Sequence, residues 1–290
     1  MDNLTSKYEK ADIVQPGGCP IPEALKPHMQ TFFIKNNQVR LRVMLAKAPD
    51  KSTRGSIIFS PGRTEFIEKY LETAADFIER GFNVLIVDPR GQGLSDRLLD
   101  DKIKSHIEDF GDYVDDLAYA VKELSLSLPQ PHVLMGHSMG GGAAFLAAEA
   151  NPNITTIVTL AAAETNPSAI GAAANITMPA LTIAGTKDCV TPNADHQTPK
   201  HEALAASCKL FYNITDGTHC HFSDGSANSC YLGEAFTCIG QGPFLDRPIQ
   251  HEVMFDAMIP WLDYWLKDDC EAWNGLTNYL TTPNASFDIQ

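Results

Sequence analysis

His132-Val133-Leu134-Met135-Gly136-His137-Ser138-Met139-Gly140-Gly141-Gly142-Ala143-Ala144 is the stretch whose reading decides the fold. Its first five residues are an apolar run bounded by Pro131, the mark of a short buried strand. From Met139 to Glu149 small residues dominate, and they read as a helix that starts at once. Between the two, Gly136-x-Ser138-x-Gly140 sets a serine on the turn from strand to helix. Such a turn is sharp and strained, and the glycines let strand and helix approach without side-chain clash. The hydroxyl then projects above the strand end. The backbone N–H of Met139, at the helix N-terminus, faces the place where an oxyanion would develop. Ser138 is the candidate nucleophile and Met139 the first candidate oxyanion donor.

Working outward, β-branched and apolar runs alternate with helical patterns from residue 31 onward. Strands are expected at Thr31–Ile34 and Val39–Ala46, paired as a hairpin about Asn36-Asn37, and at Ser56–Ser60, Asn83–Val87, His132–Gly136, Thr155–Ala161, Ala180–Ala184 and Lys209–Ile214. Helices are expected over Thr64–Arg80, Asp109–Leu124, Met139–Glu149, Asp195–Ala206 and His251–Leu266, the last kinked or split at Pro260. This rhythm predicts an α/β fold whose eight-stranded, mostly parallel sheet is flanked by helices. Residues 1–30 read as a polar lead-in and 31–290 as a single domain.

A serine needs a base, and the base needs an orienting acid. On such a sheet these come in the order Ser, acid, His, each just past a strand end. The run ALTIA (Ala180–Ala184) is followed by Asp188, and KLFYNI (Lys209–Ile214) by His219, 50 and then 31 residues along the chain. Asp188 is therefore the candidate acid and His219 the candidate base. Asp195, Asp216, His196 and His221 are their near rivals, and His137 reads as a packing or hydrogen-bonding residue beneath the turn. The loop after Ser56–Ser60, Pro61-Gly62-Arg63-Thr64-Glu65, offers the N–H of Arg63 as a second oxyanion donor. The Arg63 side chain is expected to pair with Glu65 or Glu68, the alternative being contact with a polar substrate group. Phe66 and Phe222 are candidates for lining a substrate groove, or else core residues.

The net charge of −14 argues against nucleic acid or an anionic membrane surface as a partner. No apolar run is long enough for a membrane span, and the first twenty residues lack the apolar centre of a signal peptide. Charge and cysteine are unevenly spread. Residues 1–130 hold 17 of the 22 Lys+Arg and 20 of the 36 Asp+Glu, while 131–290 hold 5 and 16. Cys19 stands apart, whereas Cys189, Cys208, Cys220, Cys230, Cys238 and Cys270 fall in the last third. No C-x-x-C pair occurs, so no metal site is expected. The six permit up to three disulfides of undetermined pairing, or a set of buried thiols. Disulfides would favour a secreted or periplasmic location, free thiols a cytoplasmic one.

With Gly136-His137-Ser138-Met139-Gly140, the Pro61–Glu65 loop and Asp88-Pro89-Arg90-Gly91-Gln92-Gly93-Leu94-Ser95 together, the chain resembles the α/β-hydrolase superfamily. Residues 31–148 resemble bacterial lysophospholipases and monoacylglycerol lipases, through FSPGRTEFIEKY, VDPRGQGLSDR, EDFGDYVDDL and GHSMGG. Beyond the serine turn the likeness changes. Those lipases carry a helical cap before the acid loop, where this chain has only the 17 residues Ala163–Pro179. The short spacings, PALTIAGTKDCVTP and the cysteine-bearing tail resemble capless secreted esterases of the dienelactone-hydrolase and cutinase kind. The resemblance implies an α/β-hydrolase fold without a full cap. It also implies a carboxylic-ester hydrolase that needs no cofactor and acts on short, aromatic or surface-presented esters, small or polymeric. The front half points instead to a lipid ester, monoacylglycerol or lysophospholipid. Amide hydrolysis, acyl transfer and cofactor-free haloperoxidation use the same residues, and a catalytically dead binding protein is the reading from another class. The change of likeness, with the charge and cysteine shifts, also fits a chain joining two hydrolase lineages near residues 130–150. One unusual family is the alternative. Oligomeric state has no sequence signal.

Overall fold

The computed structural model describes residues 6–14, 21–49, 53–224, 229–267, 270–279 and 285–290. All eight expected strands form: β2 (Met29–Asn36), β3 (Val39–Ala46), β4 (Ser56–Ser60), β5 (Asn83–Val87), β6 (His132–His137), β7 (Ile154–Leu160), β8 (Ala180–Gly185) and β9 (Lys209–Ile214). Two short strands extend the edges, β1 (Glu9–Lys10) beside β2 and β10 (Ala285–Ile289) beside β9, so the sheet has ten strands among the described residues rather than eight. The order is β1-β2-β3-β5-β4-β6-β7-β8-β9-β10. The central six, β5 to β9 in that order, run parallel, and the pairs outside them are antiparallel. Both added strands are brief and largely exposed on the outside of the sheet. They lack the buried apolar runs that mark the inner ones.

Helices cover both faces of the sheet. On one side α1 (Leu71–Glu79), α7 (Arg247–Lys267) and α8 (Cys270–Tyr279) pack Phe77, Met258, Trp261 and Leu276 against the apolar side chains of the strands. On the other, α2 (Gly111–Glu123), α3 (Met139–Glu149) and α4 (Ala169–Ala173) contribute Leu117, Phe145 and a row of alanines. The shorter α5 (Gln197–Ala203) and α6 (Ser229–Thr237) lie in the last third. Between β7 and β8 the chain carries only the five-residue α4, whose Ala169, Ala172 and Ala173 are buried in the core, so no cap forms there.

Two helices differ from expectation for identifiable reasons. The helix expected from Thr64 begins at Leu71, after a 3-10 turn over Ile67–Tyr70. Asp88 accepts the Ile67 N–H at 2.8 Å, and Asp224, remote in sequence, accepts the Glu72 N–H at 2.6 Å and the Thr73 hydroxyl at 2.9 Å. A side chain brought by the tertiary fold thus fixes the helix start. Pro260, expected to kink or split α7, does not split it and lies inside one continuous helix. Its cost of about 3 kcal/mol is offset by the buried residues around it. Trp261 is fully buried and donates its indole N–H to the Thr156 hydroxyl at 3.0 Å. No helix among the described residues is long and apolar enough to cross a membrane.

Register decides where chemistry can gather. Ser60 lies opposite Gly136, Gly136 opposite Thr159, and Gly185 opposite Ile214. The loops leaving β4, β6, β8 and β9 therefore emerge together at the carboxyl ends of the parallel strands, where open α/β sheets bind their ligands.

Candidate active site

Ser138 sits between β6 and α3 with φ 53° and ψ −123°, a left-handed conformation costly for a residue with a Cβ. The glycines on either side have no substitute. A Cβ on Gly136 would lie 2.2 Å from the Gly140 carbonyl oxygen, and one on Gly140 would lie 2.0 Å from the Ser60 carbonyl oxygen. The turn is pinned by the Ser138 N–H to the Leu160 carbonyl at 3.0 Å and by the Ala163 N–H to the Ser138 carbonyl at 2.8 Å.

His219 and Asp188 come together across the ends of β8 and β9, with Nδ1 2.8 Å from Oδ2. Both are buried. The Asp188 carboxylate also accepts the N–H groups of Val190 at 2.9 Å and Thr191 at 2.7 Å, and the Thr191 hydroxyl at 2.8 Å. Burial would raise the Asp188 carboxyl, but the facing imidazole and these donors hold it below the ordinary carboxylate value. Burial would likewise lower the His219 imidazole, and the Asp188 carboxylate raises it above its ordinary value instead. Three of the four rivals have partners of their own. His221 Nδ1 donates to the Leu245 carbonyl at 2.8 Å, Asp216 faces Lys187 at 3.6 Å, and His196 Nδ1 accepts the Glu164 N–H at 2.9 Å.

Beneath the serine turn His137 is fully buried, as a packing and hydrogen-bonding residue should be. Its Nε2 donates to the His219 carbonyl at 3.1 Å, and its Nδ1 lies 3.0 Å from both Glu65 Oε2 and the Tyr70 hydroxyl. Glu65 Oε2 also accepts the Tyr70 O–H and the Gly62 N–H, each at 2.5 Å. Burial opposes the charge on Glu65, but His137, Lys69 and the Tyr70 hydroxyl outweigh it and hold the carboxyl down at about 2. The loop after β4 is thereby tied to the base of the serine turn. The ion pair expected for Arg63 does not form. Glu65 is taken by His137 and Tyr70, and Glu68 makes a two-pronged pair with the buried Arg42 at 2.6 Å. Arg63 is left exposed at the cleft edge.

The cleft itself has a volume of about 410 Å³ and is lined by Arg63, Ser138, Met139, Val190, His219 and Glu234 among others. Three site residues were missed from sequence: Thr191 and Glu234, which hold the Asp188–His219 pair and its backbone, and Tyr70, which donates to Glu65; Gly62 and Glu65 stand in the loop that the sequence marked, but their bond to each other did not show there. Thr191 shares the loop after β8 with Asp188, whereas Tyr70 and Glu234 lie on helical segments and carry no local motif. The two phenylalanines lie elsewhere. Phe222 is 0% exposed, packed in the core beside His137 rather than facing the cleft. Phe66 lines a neighbouring pocket of about 380 Å³ with Val14, Leu94 and Ile103, which shares Thr64 with the cleft. Cysteine pairing, open from sequence, is Cys189–Cys238 and Cys220–Cys230. Cys208 is a free thiol, and Cys19 and the Cys270 side chain lie outside the described residues.

Two protein families match successive parts of the chain. Residues 51–172 match the family described as serine aminopeptidase, S33, and residues 130–240 the PET hydrolase-like family. Among curated proteins, lysophospholipase L2 of Escherichia coli is 40% identical over 107 residues, 37% of this chain and 32% of that protein. The monoacylglycerol lipase of Mycolicibacterium smegmatis is 32% identical over 98 residues, 33% of each chain. The chain thus spans about a third of the length of these two relatives. Among solved structures, a CIB-like hydrolase from Thermoplasma acidophilum superposes with a TM-score of 0.54 at 22% identity, covering 66% of this chain and 88% of its own. Est1E from Butyrivibrio proteoclasticus, solved with ferulic acid bound, gives 0.54 at 17% identity, covering 72% and 97%. The chain has the α/β-hydrolase fold, and its relatives are lipases and esterases.

Proposed function

We propose that residues 31–290 form one catalytic unit, a serine hydrolase of carboxylic esters in which Ser138 is the nucleophile, His219 the base and Asp188 the orienting acid. The observation that carries this reading is the 2.8 Å contact from Asp188 to a histidine that lines the same cleft as a serine held in the strained turn. His219 takes the Ser138 proton as the oxygen attacks the ester carbonyl. Asp188 fixes the Nδ1–H tautomer and stabilises the imidazolium that forms. The N–H groups of Met139 and Arg63 receive the oxyanion, each contributing about 3 kcal/mol to the transition state. The alcohol departs with the proton from His219. Water, deprotonated by the same imidazole, then releases the acid. The organic chemistry is complete with these groups, and no metal or cofactor has a step to perform.

The substrate class follows from what stands over the serine. With only α4 between β7 and β8, the cleft favours short, aromatic or surface-presented esters over a long acyl chain enclosed by a cap. A second reading, hydrolysis of a lipid ester, is favoured by the lysophospholipase and monoacylglycerol lipase relatives. Two disulfides support an oxidising compartment as the place of action. Turnover of p-nitrophenyl acetate, butyrate and decanoate by the wild type and Ser138→Ala tests the mechanism and the substrate class. Loss of turnover in the variant, with acetate and butyrate preferred, is the expected result. Equal rates for the two proteins reject the serine mechanism, and a decanoate preference selects the lipid-ester reading.

A further inference from the structure

Helix α6 stands at the cleft in an unusual way. Cys230, Glu234 and Cys238, the last one residue beyond the helix, recur at intervals of four and so share one helix face. Each is tied to a loop that carries the acid or the base. Cys230 bonds to Cys220, the residue after His219, and Cys238 to Cys189, the residue after Asp188. Between them Glu234, 5% exposed, accepts the His219 N–H at 2.7 Å and the Cys220 N–H at 3.4 Å. The other face points Leu232 and Phe236 outward, 63% and 71% exposed. A helix that turns a carboxylate inward and its largest apolar residues outward is not held by apolar burial. Two covalent ties and a charge-assisted hydrogen bond hold it instead.

The His219 backbone is consequently gripped on both sides, its N–H by Glu234 and its carbonyl by His137 at 3.1 Å. We propose that Glu234 is a positioning residue that sets the His219 imidazole against Ser138 and Asp188, and that the two disulfides keep Glu234 in place. Breaking the disulfides would then disengage the base without touching it. The proposal rests on reading His219 as the base.

The test therefore uses two readouts on the full chain, steady-state turnover of p-nitrophenyl butyrate and the titration of the His219 imidazole followed by NMR. The ionisable groups facing His219 are Asp188 from the loop after β8, Glu65 from the loop after β4, His137 at the end of β6 and Glu234 from α6. Glu234→Ala is expected to lower kcat by about tenfold or more, as a displaced catalytic group does, with KM little changed. Removing a negative charge also moves the His219 midpoint down. Glu234→Gln, which keeps the acceptor oxygen, restores most of kcat and retains the lowered midpoint. Treatment of the wild type with dithiothreitol yields two thiols per disulfide while the dithiol closes to its own disulfide; it reproduces the Glu234→Ala loss and adds nothing to that variant. An unchanged kcat in Glu234→Ala, or equal losses in the Ala and Gln variants, overturns the proposal. If the wild type shows no turnover that Ser138→Ala abolishes, the ester-hydrolase reading fails, and the His219 Nδ1–H resonance from its bond to Asp188, expected to be lost in Glu234→Ala and kept in Glu234→Gln, still decides the role of Glu234.

Discussion

The two halves of the molecule hold their functional loops by different means. In the front half the loop after β4 is set by buried charge. Arg42, 1% exposed, bonds Glu68 and Asp88 at 2.6 Å, Asp88 accepts the Ile67 N–H, and Glu65 anchors Gly62 to the serine turn. In the back half the loops after β8 and β9 are set by disulfides to α6. The family matches pass from one to the other over residues 130–172, close to where charge and cysteine content change. The Ser138 turn thus stands between a loop tied by an ionic clamp on one side and loops tied by a covalent clamp on the other. The first is vulnerable to loss of a partner charge, the second to reductant.

The largest expected effect lies in the back half, in the loop after β8. Asp188→Asn keeps the shape of the pair but favours the wrong tautomer of His219, and kcat should fall about ten-thousandfold, measured as p-nitrophenyl butyrate turnover. A fall of less than about tenfold would show that the front half, with its oxyanion loop, supplies most of the rate.

Next comes the ionic clamp. Arg42→Met strands two buried carboxylates and should destabilise the protein by about 3–5 kcal/mol, read from denaturant midpoints. Little loss would mean that packing rather than charge holds the front loop.

The covalent clamp should matter slightly less to overall stability. In the loop-entropy account, removing Cys189–Cys238 with paired alanines costs about 4 kcal/mol and removing Cys220–Cys230 about 3 kcal/mol. If the variants unfold at the wild-type midpoint, the back half is held by something other than its disulfides.

The smallest effect is a displacement in pH. His219 must be neutral to take a proton, and Asp188 raises its proton affinity. Protonation therefore silences the base below a midpoint that lies above 6.5, the ordinary histidine value, so kcat/KM should rise with pH through that midpoint. A limb at or below 6.5 would show that burial outweighs the carboxylate.

The parts of this site legible in the sequence were those with a local cause. Gly136 is required by the Gly140 carbonyl within the strand–turn–helix itself and Gly140 by the Ser60 carbonyl of the neighbouring strand, but both fall in one pentapeptide, so the motif alone marked Ser138 and Met139 as candidates. Asp188 and His219 followed from a positional rule, since each comes just past a readable buried strand. Arg63 was read wrongly because its two nearest carboxylates in sequence have better partners in space, His137 for Glu65 and Arg42 for Glu68. Phe222, next but two to His219, read equally as a groove or a core residue, and the 3-10 turn over Cys220–Phe222 directs it into the core. Helix α6 carries no apolar stripe facing inward, which is why periodicity did not reveal it.

By itself the sequence determined the parallel sheet, the strained serine turn and the loops in which Asp188 and His219 follow one another along the chain, because alternating apolar runs and a glycine-flanked turn are written in short stretches. The tertiary structure alone decided the pairing of cysteines, the grip of Glu234 and His137 on the His219 backbone, and the tie from Glu65 to His137 beneath the serine turn. Each of these joins groups 10 to 82 residues apart, and such contacts exist only after the sheet has brought the carboxyl ends of its strands side by side.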